Sequence, residues 1–340
     1  MPKIVKGGEY SAPVHYFLNG AEEIAESLCK SLNRDPQEPY AIFNPSGDPF
    51  SYCEGKDGVA CDKQKLLNDI SASLNGNFER VHICTSVVKC NYSMGDIVER
   101  TQKLCSFTTY FDAENTDRSD NIRLAAEKIN GTVIEAGGEF SFNGTVGART
   151  EENGFKPAKI IENGKFVTGY GGGVCQVSTT LYNAAVLSGL EITEYHPHSL
   201  QVSYVSPSRD AMVSGSYFDL KFKNNRLTPI YVRVNCTLNS VKCTVYGQSD
   251  GFDYSIVSKV TGTVARPPAV VEDGIEDGDS TVVTYGRDGT LSEGYLVKRR
   301  GGEEFSTLLR KDKYAAVADV IRKNVQTDEE REDTQEDTQQ

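Results

Sequence analysis

Gly169-Tyr170-Gly171-Gly172-Gly173-Val174-Cys175-Gln176-Val177-Ser178-Thr179-Thr180-Leu181-Tyr182 is the stretch from which the rest of the chain is best read. Three consecutive glycines free the backbone for positive φ and for close approach of a second chain segment. A helical pattern then runs over Cys175–Leu187, and Gly189 stands just past its end as a stop signal. A helix that starts at a cysteine offers it unpaired N–H groups and a positive dipole end, both of which favour the thiolate. The same N–H groups are suited to an oxyanion formed when a thiolate attacks an acyl carbon. A glycine-rich loop before a helix also suits phosphate, but no Gly-Lys-Ser/Thr follows and no GxGxxG is present. A buried structural cysteine beside a tight turn stands as the plain alternative.

A thiol nucleophile needs a base. Four histidines are available: His15, His82, His196 and His198. His196-Pro197-His198 follows Leu190–Glu194, which reads as a strand. A strand leaving a helix returns along it, so this segment can bring an imidazole back to the Cys175 end. Either His196 or His198 is therefore a candidate general base. Metal binding by the pair is the weaker reading, and neither a metal nor a cofactor is expected.

Working outward, the first hundred residues read as a small α/β unit. Helices are expected at Ala21–Leu32 and at Lys63–Leu74, the latter with Asp62 as N-cap. Strands are expected at Tyr40–Phe43 and Arg80–Val88, and another helix at Gly95–Leu104. A helix Asp120–Asn130 is capped by Ser119 and stopped by Gly131, and Asn163-Gly164 reads as a hairpin turn. Strands follow at Tyr217–Phe222 and Ile230–Leu238. Arg266–Asp279, with Pro267-Pro268 and a run of acids, reads as a linker; Thr281–Leu309 reads as short strands and Tyr314–Lys323 as a short helix. The expected class is α+β, divided into residues 1–100, a central domain over 101–250, a small β-rich module over 251–323 and an acidic disordered tail over 324–340.

Composition excludes several function classes. The 340 residues carry a net charge of −12, with no basic stripe, so nucleic acid is not an expected partner. No apolar run is long enough to span a bilayer, and the start, MPKIVKGGEYSAPVHYFLNG, has no signal-peptide pattern. Nine cysteines are many for a reducing compartment. A two-residue turn at Asn239-Ser240 places Cys236 opposite Cys243, within disulfide reach. Setting Cys175 aside leaves eight cysteines, enough for four bridges, which favours an oxidising space outside the membrane; the alternative is a cytoplasmic protein with buried thiols. Oligomeric state is left open.

Phe140-Ser141-Phe142-Asn143, Val146-Gly147-Ala148-Arg149-Thr150, Gly154-Phe155, the run Gly171–Ala185 and Arg209-Asp210-Ala211 together resemble the VanW-domain family in order and spacing. His198-Ser199 and Tyr204-Val205 sit where that family has its His-Ser and Tyr-Val. The likeness covers about Thr101–Tyr246. The first hundred residues resemble the peptidoglycan-binding-like domain that often precedes it, and the part after Gly251 faintly resembles the five-glycine β module that often follows. The resemblance implies a protein of the Gram-positive envelope, in a family named from vancomycin (glycopeptide) resistance clusters and associated with L,D-transpeptidase activity. Its substrates would be peptidoglycan stem peptides.

By the same resemblance Cys175 is the nucleophile and His198 the base, with His196 the lesser candidate. Gly172, Gly173, Gln176, Arg149 and Asp210 fall in matching motifs as supporting residues. An Arg there can bind a stem carboxylate, and an Asp can orient the histidine. Two rival readings use the same residues: a non-catalytic wall-binding or resistance accessory module, and a cysteine peptidase or amidase whose acyl-enzyme passes to water.

Overall fold

The computed structural model describes residues 3–4, 10–11, 19–76, 80–162, 165–215, 217–275 and 281–324. His15, the Asn163-Gly164 turn and the acidic residues after Asn324 lie outside them. The chain forms two compact units, one of residues 1–44 with 48–99 and the other of residues 45–47 with 100–340.

In the first unit β1 (Lys3–Ile4) pairs with β2 (Tyr10–Ser11), and α1 (Ala21–Leu32) follows. Then come β3 (Tyr40–Phe43), β4 (Phe50–Cys53), β5 (Gly58–Cys61), α2 (Lys63–Asn75), β6 (Thr85–Val88) and α3 (Met94–Glu99). Two antiparallel pairs result, β3 with β4 and β5 with β6. Asp62 caps α2 as its position predicts, its side chain accepting from Lys65 N at 2.9 Å. Ala25 and Cys29 of α1 meet Leu66 of α2 in a small core, with Cys61, Leu67 and Ile70 packed against it. The helix expected over Gly95–Leu104 stops early. Beyond Thr101 the chain is drawn into a strand, because sheet pairing outweighs weak helical propensity there.

That strand is β7 (Gln102–Tyr110), the first element of the second unit. It is followed by α4 (Thr116–Ile129), β8 (Thr132–Ile134), β9 (Glu139–Ser141), α5 (Phe142–Val146), β10 (Pro157–Glu162), β11 (Lys165–Tyr170) and α6 (Val174–Leu187). Then come β12 (Glu191–Glu194), β13 (Lys221–Lys223), β14 (Ile230–Cys236) and β15 (Ser240–Gly247). The sheet β7-β15-β14-β8 is antiparallel, and α4 and α6 pack on one face of it. Alternation sets that face: Ile230, Val232 and Val234 of β14 and Val241, Cys243 and Val245 of β15 are all buried. A smaller sheet, β12-β13-β9, and the ribbon β10–β11 complete the α+β architecture.

The same unit continues through β16 (Asp253–Val264), β17 (Val270–Ile275), β18 (Thr281–Thr284), β19 (Gly289–Arg300), β20 (Glu303–Tyr314) and β21 (Val320–Asn324). These make an antiparallel sheet β16-β19-β20 and a mixed sheet β17-β21-β18, in which β17 runs parallel to β21. The expected linker Arg266–Asp279 is thus partly strand, and the expected helix Tyr314–Lys323 is the end of one strand and most of another. Propensity cannot find a parallel pair whose partners lie fifty residues apart in sequence.

Helix α4 starts earlier than Ser119. Asn115 is its cap, its side chain accepting from Arg118 N, and Ser119 is instead buried inside the helix. Cys236 and Cys243 are not opposed. Thr237 N donates to Ser240 O at 2.9 Å, and the two hydroxyls lie 2.7 Å apart, so the two-residue turn is Leu238-Asn239, one residue earlier than expected. Cys236 then faces Val241 and Cys243 faces Val234, leaving the two thiols diagonal. All nine cysteines are free thiols.

Candidate active site

Helix α6 is buried almost all round, which is unusual for a helix carrying Gln176, Ser178, Thr179, Thr180 and Asn183. Each of these polar groups has a partner. Ser178 Oγ donates to Ala211 O at 2.6 Å, and Thr179 Oγ1 accepts from Ala211 N at 3.0 Å. Asn183 Nδ2 donates to Arg209 O at 2.7 Å, while its Oδ1 accepts from Arg209 Nε at 2.8 Å. Thr180 and Thr109 join their hydroxyls at 2.8 Å. The helix therefore holds the backbone of residues 209–211 against its own start, and Asp210 with it.

The glycine loop is shaped by space as well as by φ. Gly171 and Gly173 are left-handed, at φ 81° and 103°. A Cβ on Gly171 would lie 2.8 Å from the Arg149 side chain, on Gly172 2.8 Å from Lys159 O, and on Gly173 3.0 Å from the stem of Arg118. The three glycines thus let two arginine stems and a neighbouring strand close over the loop. Asn121 fixes it from below, donating to Gly172 O at 3.0 Å and Lys156 O at 2.9 Å.

Cys175 lies in the first turn of α6 and is partly accessible. Its Sγ donates to Val213 O at 3.3 Å, and His198 is near enough to act on its charge. His198 is 4% exposed, and its Nδ1 is 2.7 Å from Asp210 Oδ2, which also accepts from His198 N at 2.7 Å. With Nδ1 engaged by Asp210, Nε2 is left for the thiol. Val174 N and Gln176 N donate back to Gly171 O and Gly173 O, while the N–H of Cys175 has no partner among the described residues.

The electrostatics follow from these contacts. Burial disfavours the thiolate, but His198, with Arg149 behind it, holds Cys175 below its ordinary value. Burial also disfavours the imidazolium, yet Asp210 and then Cys175 lift His198 to about 9. Asp210 is held down against its own burial, chiefly by His198 and then by Arg310. The three groups together favour a thiolate–imidazolium pair oriented by a carboxylate.

The other expected residues have different places. His196 lies apart from the thiol, bonding Glu194 through Nε2 at 3.0 Å and packing on Phe218. Gln176 is buried and internal; its amide serves Thr109, Tyr110 O and Arg118. Arg149 donates to Asn143 Oδ1 at 2.5 Å and to Gly147 O at 3.1 Å, and its charge bears on Cys175. Arg118 was not singled out in sequence. It donates to Gln176 Oε1 at 2.8 Å and also feels the Cys175 charge. Neither arginine forms an ion pair with a carboxylate among the described residues. The only sequence signal for Arg118 is its place in the first turn of α4. Tyr204, carried by the Tyr-Val pair, is pushed up by burial and by the Cys175 charge.

The family model described as VanW like protein matches residues 117–246, and the chain carries a VanW-family domain there. The chain is 43% identical over 146 residues to "Uncharacterized protein YoaR" of Bacillus subtilis (strain 168), a match covering 43% of this chain and 48% of that protein. It is 32% identical over 111 residues to "Vancomycin B-type resistance protein VanW" of Enterococcus faecalis (strain ATCC 700802 / V583), covering 31% of this chain and 40% of that protein. The matched segment thus spans about half of either relative, or less. No helix among the described residues is long and apolar enough to cross a membrane.

Proposed function

We propose that this chain is a cell-wall cysteine acyltransferase of the L,D-transpeptidase type, acting outside the membrane on peptidoglycan stem peptides. The observation that carries the reading is the Cys175–His198–Asp210 arrangement, with Nδ1 of His198 fixed 2.7 Å from Asp210. The thiolate attacks the carbonyl carbon of the bond to a terminal D-Ala. The N–H of Cys175 is placed to stabilise the oxyanion. Collapse breaks the C–N bond, and His198 gives its proton to the departing amine, leaving a thioester. His198 then takes a proton from the side-chain amine of a second stem as it attacks, and the thiolate leaves. Arg118 and Arg149, charged and without carboxylate partners among the described residues, are suited to the anionic carboxylates of such a stem.

The test is the mass of the intact protein after incubation with a tetrapeptide stem or a carbapenem. A covalent adduct on wild type and none on Cys175→Ala is expected. His198→Ala should slow acylation by roughly two orders of magnitude or more, as loss of a general base does. His196→Ala should change little, because its imidazole is spent on Glu194. Adduct formation that persists in Cys175→Ala would overturn the assignment. An unmodified wild-type thiol would leave the wall-binding accessory reading, and an adduct that passes only to water would leave the peptidase or amidase reading.

A further inference from the structure

The sequence pattern of β20 carries more than a strand needs. Arg310, Asp312 and Tyr314 alternate with Lys311 and Lys313, so three polar side chains point inward and two lysines outward. Arg310 and Tyr314 are 3% and 1% exposed. Buried polar groups of this size persist only when their hydrogen bonds are made. Here they are made to the loop that carries Asp210.

Asp210 has two carboxylate oxygens. Oδ2 serves His198, and Oδ1 accepts from the Tyr314 hydroxyl at 2.5 Å. The same hydroxyl accepts from Ser208 N at 2.7 Å. Arg310 Nη1 donates to Asp210 O at 2.6 Å, and its Nη2 lies 3.5 Å from Oδ1. Asp312 balances the guanidinium through a two-pronged pair of 2.6 and 3.0 Å, and the Tyr195 ring lies beneath it. Ser208, at φ 58°, is the one non-glycine with positive φ among the described residues. Its hydroxyl is held 2.7 Å from Ser292 of β19, and Gly294 is bare where a Cβ would come within 2.9 Å of Ser208 O. A strained backbone persists where its surroundings over-determine it, and these contacts do so from outside the family-matched segment.

We propose that β20 is a working part of the site, with Tyr314 and Arg310 as positioning residues that fix Asp210 and, through it, the orientation and charge of His198. The proposal rests on the reading of Cys175, His198 and Asp210 as a catalytic set. It implies that residues 117–246 are not sufficient for the chemistry. The titratable or charged groups around the set are Arg118 from α4, Arg149 from the loop after α5, Tyr182 from α6, Tyr195 and Tyr204 from the loops flanking His198, and Arg310, Asp312 and Tyr314 from β20.

The test uses the full chain and needs no substrate: the rate of Cys175 alkylation by iodoacetamide across pH, with Cys175→Ala as blank. Tyr314→Phe removes one oxygen, leaving Asp210 Oδ1 without its phenol donor. Its alkylation midpoint should move up towards that of a free thiol, with a roughly tenfold or greater fall in rate near neutral pH, as loss of a hydrogen bond to a charged group implies. Arg310→Lys should shift the profile the same way, and it decides the matter should Tyr314→Phe fail to fold. If His198→Ala moves the profile while folded Tyr314→Phe and Arg310→Lys do not, β20 is only packing and the proposal is wrong, with the triad reading intact. If His198→Ala also leaves the profile unmoved, the triad reading falls and takes this proposal with it.

Discussion

Replacing Asp210 by Asn changes one atom and removes one charge at the centre of the site. Asp210 is 1% exposed and accepts hydrogen bonds from His198 N, His198 Nδ1 and the Tyr314 hydroxyl. His198 stands at about 9 against an ordinary 6.5. At about 1.4 kcal/mol for each pH unit of displacement, the whole is about 3 kcal/mol. Asp210 leads the raising causes, ahead of Cys175. The direction is cleanest in a Cys175→Ala background, where the thiol does not titrate. A raised histidine stabilises the fold fully below its unfolded value and loses that contribution as pH rises through its folded value. A depressed carboxylate stabilises above its unfolded value and loses that contribution as pH falls through its folded value. The penalty of Asp210→Asn, read by urea denaturation, should therefore be largest between about pH 4 and 6.5 and shrink as pH rises through the folded value of His198, which lies below about 9 once Cys175 no longer helps to raise it. A penalty that stays flat across that range, or grows with pH, would refute a charged His198–Asp210 pair.

Two further outcomes are expected. Gly173→Ala should destabilise the domain by roughly 1–3 kcal/mol, from a left-handed backbone and a Cβ pressed on Arg118 and Ile122; a thermal midpoint equal to wild type would count against the crowding described for the loop. In the first unit the Cys29 and Cys61 sulfurs lie only 2.6 Å apart between α1 and β5. Thiol–disulfide exchange with oxidised glutathione should join them, reducing one glutathione disulfide to two thiols, before it modifies buried Cys243; peptide mapping that finds both thiols alkylated after exchange would exclude it.

How much was legible in the residues depends on how local each signal was. The glycine run and the helix after it were legible because both causes, positive φ and close approach, act within a few residues of Cys175. Asp62 was legible as a cap because its bond spans three residues. The α+β class followed from the same local patterns. Ser119 misled because it satisfies a capping pattern that Asn115 fulfils one turn earlier. The Cys236–Cys243 pairing failed on a one-residue shift of the turn, which closes between Thr237 and Ser240 where closure between Leu238 and Val241 was expected. Arg310 and Tyr314 gave no signal at all, since their partners lie about a hundred residues away. Alternation in β20 marks them as inward-facing, but nothing near them says what they face.

The polar ladder of α6 bears on how members of this family are to be sorted. Ser178, Thr179 and Asn183 grip the backbone of residues 209–211, and their hydrogen bonds do not involve the Cys175 sulfur. The conspicuous part of the run is therefore a scaffold signature, whose retention reports an intact domain and not a reaction. A sequence could exchange Cys175 for serine or alanine, keep every other letter of the run, and still fold and score as a relative. Recognition of the domain and assignment of chemistry are separate decisions, and on the proposed function the second turns on position 175 and the residues that face it.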